Sequence, residues 1–304
     1  MRGERIGMST MTAAAPKRRT GRFSLSQALR YLILTVWGIT TVYPFIWVIL
    51  NSFRQKGEIR SDSFSIPWPW TQSFTWDNYV TATERANFTT GYTNSLLISV
   101  TVTVVVVLLA GLAAYGLTRY TFRGKKALYG LIVASMMFPV FSTIIPVFRM
   151  EVVLGIASTG KRFLSLLSVI FPQIAGNLSF ATIVLMGFIR SVPIDLEESA
   201  YLDGCSVYRI YTKIIIPVAK PSFATVAIFS FLWSYNDLFT QMFLLRYPHE
   251  KTITLLLNEI SSQAGVNYGF MAASVVLVVM PVLLVYVFLQ KNIIKGLTVG
   301  AIKG

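Results

Sequence analysis

The side chains in this sequence that could bind a small molecule within apolar surroundings are few, and nearly all of them are uncharged. They lie in two long apolar runs and are the amides and hydroxyls of Gln173, Asn177, Asn236, Thr240 and Gln241, with one carboxylate, Asp237. Amides and hydroxyls along a shared path suit an uncharged, hydroxyl-rich solute. They equally suit hydrogen bonds that hold neighbouring helices together. For any single residue the sequence favours neither interpretation.

The sequence lacks the residue sets that catalysis or metal binding would need. Gly124-Lys125-Lys126 comes nearest to a phosphate-binding loop, but it has neither the upstream glycine nor the hydroxyl residue of that motif. The single cysteine, Cys205, and the single histidine, His249, exclude an intrachain disulfide and a cysteine–histidine metal cluster. We therefore predict a protein that is not an enzyme and that holds no cofactor or metal ion.

The composition is typical of a membrane protein. Of the 304 residues, 54% are hydrophobic and only 13% are charged, and the mean hydropathy is +0.61. The formal charge of +14 would be compatible with nucleic-acid binding, but the basic residues are spread through loops between apolar runs. Retention of positive charge on one side of a membrane explains that distribution better. We expect contact with membrane lipid and no nucleic-acid partner.

Six apolar runs are long enough to cross roughly 30 Å of hydrocarbon. The first, residues 31–50, is longer than a typical signal-peptide core and no small-residue cleavage site follows it, so we interpret it as a retained membrane helix. The other five are residues 94–117, 127–148, 164–189, 221–242 and 271–289. The predicted fold class is an all-α membrane protein with six transmembrane helices, which leave no room for a separate soluble domain.

Small residues and prolines inside these runs predict how the helices pack. Ala110 and Ala114, four residues apart, suit close packing against another helix. Prolines are expected to kink or break three of the helices. They are Pro139, Pro146, Pro172 and Pro281.

The distribution of lysine and arginine predicts the orientation. Placing both termini on one side gives that side 18 of the 27 basic residues, and the opposite loops, of nearly equal total length, have 9. The richer side faces the cytoplasm. It holds a basic N-terminal segment (residues 1–30), the loop 190–220 and the tail 290–304, and the membrane domain spans residues 31–304.

A polar segment, residues 195–217, separates two of the apolar runs. Asp195 and Glu198 have the spacing of a capping box, which predicts the start of a short helix. Leu196, Ala200 and Gly204 then fall four apart, and the two small residues make that face flat enough for another surface to approach the backbone. A glycine within a helix costs about 1 kcal/mol relative to alanine, so a close contact would have to offset it. The alternative is an ordinary interhelical loop.

The spacing of this segment resembles the cytoplasmic coupling loop of permease subunits in binding-protein-dependent ABC importers. The matching positions are Glu198, Ala200, Gly204, Ile214, Ile216 and Pro217, and Ser199 and Ile216 replace the usual alanine and leucine. The resemblance implies that residues 195–209 form a helix seated in a cleft of an ATPase subunit and move as a rigid lever. The residues implied in this coupling are Glu198, Ser199, Ala200, Asp203, Gly204, Ile214 and Pro217.

The C-terminal residues 296–304 are similar to the tail of the maltose-type, MalG-like carbohydrate permeases. Gly296, Gly300 and Lys303 belong to this tail, in which the glycines would allow a tight turn and which the resemblance places between the ATPase subunits. Trp233-x-x-Asn236-Asp237 also resembles a segment of these permeases. The resemblance implies a second permease subunit, two ATP-binding subunits, an extracytoplasmic solute-binding protein and a sugar substrate. It also implies that the partner permease makes most of the contacts with the sugar.

Two other functions remain open from the sequence. A secondary carrier would usually bury several ionisable groups in mid-membrane, whereas Asp237 is the only charged residue within the six runs. An ABC permease for another solute, such as an amino acid, phosphate or a metal ion, is separated from a sugar permease only by the tail and by residues 233–237.

Overall fold

The structure is a computed structural model that describes residues 25–62, 64–85, 87–263, 265 and 267–301. These ranges contain thirteen α-helices and no β-strand. The helices are α1 Leu25–Ser52, α2 Glu58–Ser61, α3 Asp77–Arg85, α4 Phe88–Arg119, α5 Lys125–Ser135, α6 Val140–Val153, α7 Arg162–Ser191, α8 Asp195–Leu202, α9 Val207–Ile210, α10 Ile216–Asn236, α11 Phe239–Leu244, α12 Ile253–Gln263 and α13 Tyr268–Ala301.

The chain divides into two compact units, residues 1–47 and 48–304. The described part of the first, residues 25–47, belongs to α1, which is long and apolar enough to cross a membrane. Of the predicted basic N-terminal segment, residues 1–30, the last six residues belong to α1 and residues 1–24 lie outside the described residues.

Helices α4 and α7 reproduce the predicted second and fourth membrane runs, each extended by a few residues at its ends. The third run is different, because α5 and α6 meet at an angle of 102° instead of forming one straight helix. Pro139 stands immediately before α6 in an extended conformation. Since proline cannot continue the hydrogen-bond ladder of a helix, it accounts for the break.

The fifth run also ends earlier than predicted. Helix α10 stops at Asn236, Asp237 follows in an extended conformation, and Thr240 and Gln241 belong to the separate short helix α11. The predicted sixth run falls in α13, whose described apolar stretch is shorter than the others. By length and composition the described residues therefore supply four membrane-crossing helices, or five if the bent pair counts as one.

The main core lies where α4 packs against α7 and α10. Residues at intervals of four along α4 are fully buried, and they are Ile98, Val102, Val106, Ala110 and Ala114. This confirms the close packing predicted for the two alanines. Gly111 makes the approach closer still, because a Cβ atom there would lie 2.5 Å from the Tyr211 hydroxyl.

The loops gather at two ends of the helices. At one end, Arg119, the last residue of α4, donates a hydrogen bond to the Val192 carbonyl in the loop between α7 and α8. At the other, Arg162 Nε donates to Asn94 Oδ1 over 2.8 Å, and Asn94 Nδ2 donates to the Lys251 carbonyl over 2.9 Å. This grouping agrees with the two sets of loops that the charge distribution separates.

Candidate functional site

The 195–217 segment forms two short helices, α8 and α9, separated by a turn. Helix α8 begins at Asp195, as predicted, but no capping box forms. The Glu198 N–H donates to the Ile194 carbonyl over 3.1 Å, so Asp195 lies inside the first turn and its side chain does not cap the helix. The prediction of one continuous helix over residues 195–209 is wrong, because α8 ends at Leu202 and α9 begins at Val207.

The turn after α8 explains Gly204. Gly204 N–H donates to the Tyr201 carbonyl over 3.0 Å, and Cys205 N–H donates to the Ala200 carbonyl over 2.9 Å. These are the two bonds of a Schellman motif, which requires a left-handed residue at this position. Gly204 has a φ of 76°. It lies beyond the helix and terminates it, and so it is not the helical glycine that the sequence suggested.

The proposed coupling residues divide between surface and core. Glu198, Ser199, Asp203, Gly204 and Pro217 are exposed, Ile214 is half-buried, and Ala200 is buried. Ala200 packs within the main hydrophobic core, so the predicted flat face of Ala200 and Gly204 does not exist as a single surface. Ser199 Oγ donates to the Asp195 carbonyl over 2.8 Å.

Several apolar side chains that precede or follow Gly204 in the segment are exposed. Leu202 is 90% exposed and Tyr208 is 75% exposed. We call the set the apolar patch, and it comprises Ile194, Leu196, Tyr201, Leu202, Val207 and Tyr208. A hydrogen bond with the Tyr120 hydroxyl raises the pKa of Tyr201 above its ordinary value.

The most buried charge of the segment is Glu197, which the sequence analysis did not select. Its Oε2 accepts a hydrogen bond of 2.9 Å from the Tyr115 hydroxyl, and its Oε1 forms an ion pair with Arg119 Nε. Arg119 Nη2 also donates to the Val192 carbonyl over 2.8 Å. The pair joins the end of α4 to α8 and to the end of α7. Its one sequence signal is the three-residue spacing from Ala200, which places both residues on one helical face.

A one-turn π-helical stretch, Tyr211–Ile215, connects α9 to α10. Pro217 follows it and has no N–H to donate to the carbonyl four residues earlier. A wider turn at this point removes the need for that hydrogen bond. Through the stretch, α9 and α10 form one helical rod of 30 residues, Val207–Asn236.

The six polar residues predicted to line a path are mostly bonded to each other. Gln173 Nε2 donates to Asp237 Oδ2 over 2.7 Å, and Ser234 Oγ donates to Gln173 Oε1. Gln241 Nε2 donates to the Ser234 carbonyl over 3.4 Å. Thr240 N–H donates to Asp237 Oδ1 over 3.1 Å. This network joins α7, α10 and α11, which favours the interpretation that these groups hold helices together.

Two of the six differ in their surroundings. Asn177 is buried, its Nδ2 donates to the Gln173 carbonyl over 2.8 Å, and its Oδ1 has no hydrogen-bond partner among the described residues. Asn236 is exposed at the end of α10, where its Nδ2 donates to the Leu232 carbonyl over 2.8 Å. Only Asn236, with half-exposed Asp237, reaches the surface of the chain.

The tail does not turn at its glycines. Helix α13 continues through Gly296 and Gly300 to Ala301, so the expected tight turn is absent from this part of the chain. Lys303 lies outside the described residues. Across the described residues no group of three His, Cys, Asp or Glu side chains could hold a metal ion.

Comparison with known proteins places these features in a family. Residues 106–299 match the family described as "Binding-protein-dependent transport system inner membrane component". The chain is 32% identical over 278 residues to the diacetylchitobiose uptake system permease protein NgcG of Streptomyces coelicolor, covering 91% of this chain and 89% of that protein. It is 32% identical over 278 residues to the galactooligosaccharides transport system permease protein GanQ of Bacillus subtilis, covering 90% and 94% respectively.

A solved structure has the same fold. It is a chain of a bacterial ABC transporter involved in the import of the acidic polysaccharide alginate, with a TM-score of 0.73 and 23% sequence identity over 90% of this chain and 99% of that chain. The apolar helices are those of a multi-pass membrane protein. The chain belongs to the family of inner membrane components of binding-protein-dependent transport systems.

Proposed function

We propose that this chain is one of two permease subunits of an ABC importer for an oligosaccharide or glycoside. It forms half of the translocation pathway and carries out no catalysis itself. A solute-binding protein delivers the sugar, and two separate ATP-binding subunits supply the energy. Six spans, with both termini and the 195–217 segment in the cytoplasm, complete the proposal.

The apolar patch on α8 and α9 is the observation that supports coupling to an ATPase. Leu202 is 90% exposed and Tyr208 is 75% exposed, although both lie in the polar, charged segment between two membrane helices. Exposed apolar groups rimmed by polar residues are typical of a protein interaction site. Glu198 and Asp203 supply such a rim. We assign the patch to the ATPase cleft.

The ion pair behind the patch supplies a mechanical link. Because Arg119 bonds to Glu197 on α8 and to Val192 after α7, a displacement of α8 is transmitted to two membrane helices. ATP-driven closure of the ATPases would then shift the population from inward- to outward-facing states. The tail residues Gly296, Gly300 and Lys303 are a second proposed ATPase contact.

The assignment to sugars rests on the relatives and on the missing charges. The relatives named above are permeases for diacetylchitobiose and galactooligosaccharides, and another is the maltodextrin permease MdxG of Bacillus subtilis, 29% identical over 281 residues. Asp237 is the only charge among the six path residues, and both of its oxygens accept hydrogen bonds within the chain. A path lined by these six residues suits a neutral solute better than an ion.

Co-purification tests the coupling surface. We expect Leu202→Glu to enter the membrane normally but to recover little ATPase, because a carboxylate replaces the most exposed apolar side chain of the patch. Thr121→Glu, an exposed change on the same predicted side, is the matched control and should recover wild-type amounts. Equal recovery by both variants would remove the patch from the ATPase contact.

Uptake tests the substrate class. Cells lacking this chain should lose uptake of at least one of radiolabelled diacetylchitobiose, maltotriose, galactobiose and trehalose, with amino-acid and phosphate uptake unchanged. Loss of amino-acid or phosphate uptake alone would overturn the sugar assignment and leave the permease assignment standing.

A further inference from the structure

The loop between α4 and α5 is short and strongly basic. Residues 120–124 alone separate the two helices. The sequence has no Asp or Glu between Glu84 and Glu151, so no acidic residue offsets the charge of the loop locally. The basic residues at and beside the loop are Arg119, Arg123, Lys125 and Lys126. Because both helices are apolar and the connection is so short, the loop stays at the surface of the membrane.

The chain itself satisfies only two of these four charges. Arg119 forms the ion pair with Glu197, and Lys125 Nζ donates to the Tyr120 carbonyl over 2.8 Å. Arg123 and Lys126 are both exposed, and neither forms an ion pair with any other residue that the structure describes. Two cations are therefore available to a ligand from outside the chain.

Exposed apolar side chains flank the two available cations. Phe122 is 47% exposed, Leu128 is 43% exposed and Tyr129 is 38% exposed. No residue of α5 is buried within the chain, so the chain leaves this surface uncovered. Lys126 and Tyr129 are three residues apart on α5 and share a helical face. We call the set the basic cluster, and it comprises Phe122, Arg123, Lys126, Leu128 and Tyr129.

This combination matches the boundary between hydrocarbon and lipid head groups. Tyrosine rings are enriched at that depth, and long basic side chains lay their apolar stems along apolar surface while their charges reach the head groups. Juxtamembrane lysine and arginine are attracted to the anionic lipids of the cytoplasmic leaflet. A phospholipid with a net negative charge supplies both an anion and an apolar body.

The basic cluster differs from the neighbouring apolar patch in the partner that it suits. The Tyr120 hydroxyl lies 3.3 Å from that of Tyr201, so the loop adjoins α8. The patch is rimmed by the carboxylates of Glu198 and Asp203, whereas the basic cluster contains no acidic residue. The cluster therefore attracts an anion, and the exposed apolar side chains beside its charges favour a lipid over a soluble anion.

We propose that the basic cluster binds the head group of an anionic phospholipid, with Arg123 and Lys126 at the phosphate. Phe122, Leu128 and Tyr129 pack against the glycerol and the upper acyl chains. The inference goes beyond the proposed function and takes only the orientation from it, which assigns the lipid to the cytoplasmic leaflet.

Native mass spectrometry of the complete transporter tests this site. After reconstitution in nanodiscs of equal parts phosphatidylglycerol and phosphatidylcholine and transfer to detergent, the wild type should retain phosphatidylglycerol in excess. Arg123→Gln with Lys126→Gln should lower that excess roughly twentyfold, because each basic residue near an anionic surface changes association about fivefold. Arg123→Lys with Lys126→Arg, which keeps both charges, should match the wild type.

A second pair of exposed basic residues provides the matched control. Lys56→Gln with Arg60→Gln also removes two exposed charges, but from a loop in which Glu58 and Asp62 already offset them. This variant should retain the wild-type excess of phosphatidylglycerol. Equal retention by the two neutralised variants, or a wild type that does not prefer phosphatidylglycerol, would overturn the proposal.

Co-purification separates a lipid site from a protein contact. Arg123→Gln with Lys126→Gln should recover wild-type amounts of ATPase, since the cluster lies outside the apolar patch. Loss of ATPase with unchanged lipid retention would show that the cluster binds the ATPase instead and would overturn the lipid site. Failure of the proposed orientation is seen separately, because labelling of Cys205 only from outside would move the lipid to the other leaflet without changing its retention.

Discussion

Glu197 on α8 and Tyr115 on α4 are joined by a hydrogen bond of 2.9 Å, although 82 residues separate them in the sequence. Arg119, one turn after Tyr115, neutralises the same carboxylate. Glu197 is only 3% exposed. A buried carboxylate is tolerated when it is paired and hydrogen-bonded, and this one has both kinds of partner. The contact fixes α8 to the membrane helix rather than to its own loop.

Removing Glu197 should therefore destabilise the chain strongly. Glu197→Ala leaves the largely buried Arg119 guanidinium with its bond to the Val192 carbonyl but without its carboxylate, and breaking a buried pair in this way costs about 3–5 kcal/mol. We expect a lower apparent melting temperature in detergent and weaker coupling of ATP hydrolysis to transport. The measurement is thermal unfolding of the purified chain, followed by transport-coupled ATPase activity.

The neighbouring exposed glutamate is the control for this change. Glu198→Ala should alter the free energy of unfolding by no more than about 0.5 kcal/mol, because substitutions at exposed positions usually have effects within that limit. A double variant, Arg119→Met with Glu197→Ala, should recover part of the stability that Glu197→Ala loses. Equal melting temperatures for Glu197→Ala and Glu198→Ala would show that the pair does not hold α8.

Replacements at Gly204 separate backbone strain from docking. The φ of 76° penalises most side chains by about 1–2 kcal/mol, whereas asparagine often occupies this position after a helix. Apart from the adjacent residues, no atom lies within 4 Å of a Cβ at this position, so the first side-chain atom of either replacement has open space. We expect Gly204→Asn and Gly204→Leu both to insert and both to recover less ATPase, leucine less than asparagine. Full recovery with asparagine and loss only with leucine would assign the defect to backbone strain.

Gln173 should matter for stability more than a path residue would. Gln173→Ala removes the donor to half-exposed Asp237 and the acceptor for the buried Ser234 hydroxyl, and leaving a buried polar group unsatisfied costs about 1–3 kcal/mol. We expect a clear fall in melting temperature. Asn236→Ala, at an exposed position, should leave the melting temperature nearly unchanged. The reverse order of the two variants would mean that the buried network is not what joins α7, α10 and α11.

The single thiol reports the orientation. Cys205 is half-buried in the turn between α8 and α9, so a membrane-impermeant maleimide should label it slowly in inside-out vesicles stripped of ATPase, and not in intact cells. Lys161 is exposed in a loop that we predict to face the opposite side, so Lys161→Cys in a Cys205→Ser background should show the converse pattern. Labelling of Cys205 only from outside would reverse the topology.

Hydrophobic runs and basic loops were sufficient to predict the helices of the core, because burial in α4 follows a simple four-residue interval. They could not predict that α5 and α6 meet at 102°, since a proline signals a break but not its angle.

The 195–217 segment shows a second limit. Gly204 was recognised from its spacing, but whether a glycine is needed for close approach or for a left-handed turn depends on hydrogen bonds that the sequence does not display. Glu197 and Glu198 are chemically identical, and Glu197 is the buried one because it lies on the face of α8 that Ala200 packs into the core.

The π-helical stretch Tyr211–Ile215 takes up one residue more than an α turn of about the same rotation. A π turn closes hydrogen bonds between residues five apart, whereas an α turn closes them between residues four apart. Deleting one residue within the stretch would therefore let α9 and α10 join as an uninterrupted α-helix and leave Tyr208 pointing in nearly its present direction. The same deletion in the regular part of α10 would rotate Tyr208, and the apolar patch with it, by roughly 100° relative to the membrane end of the helix. The chain thus has one short window in which its length can change by a residue without redirecting the patch.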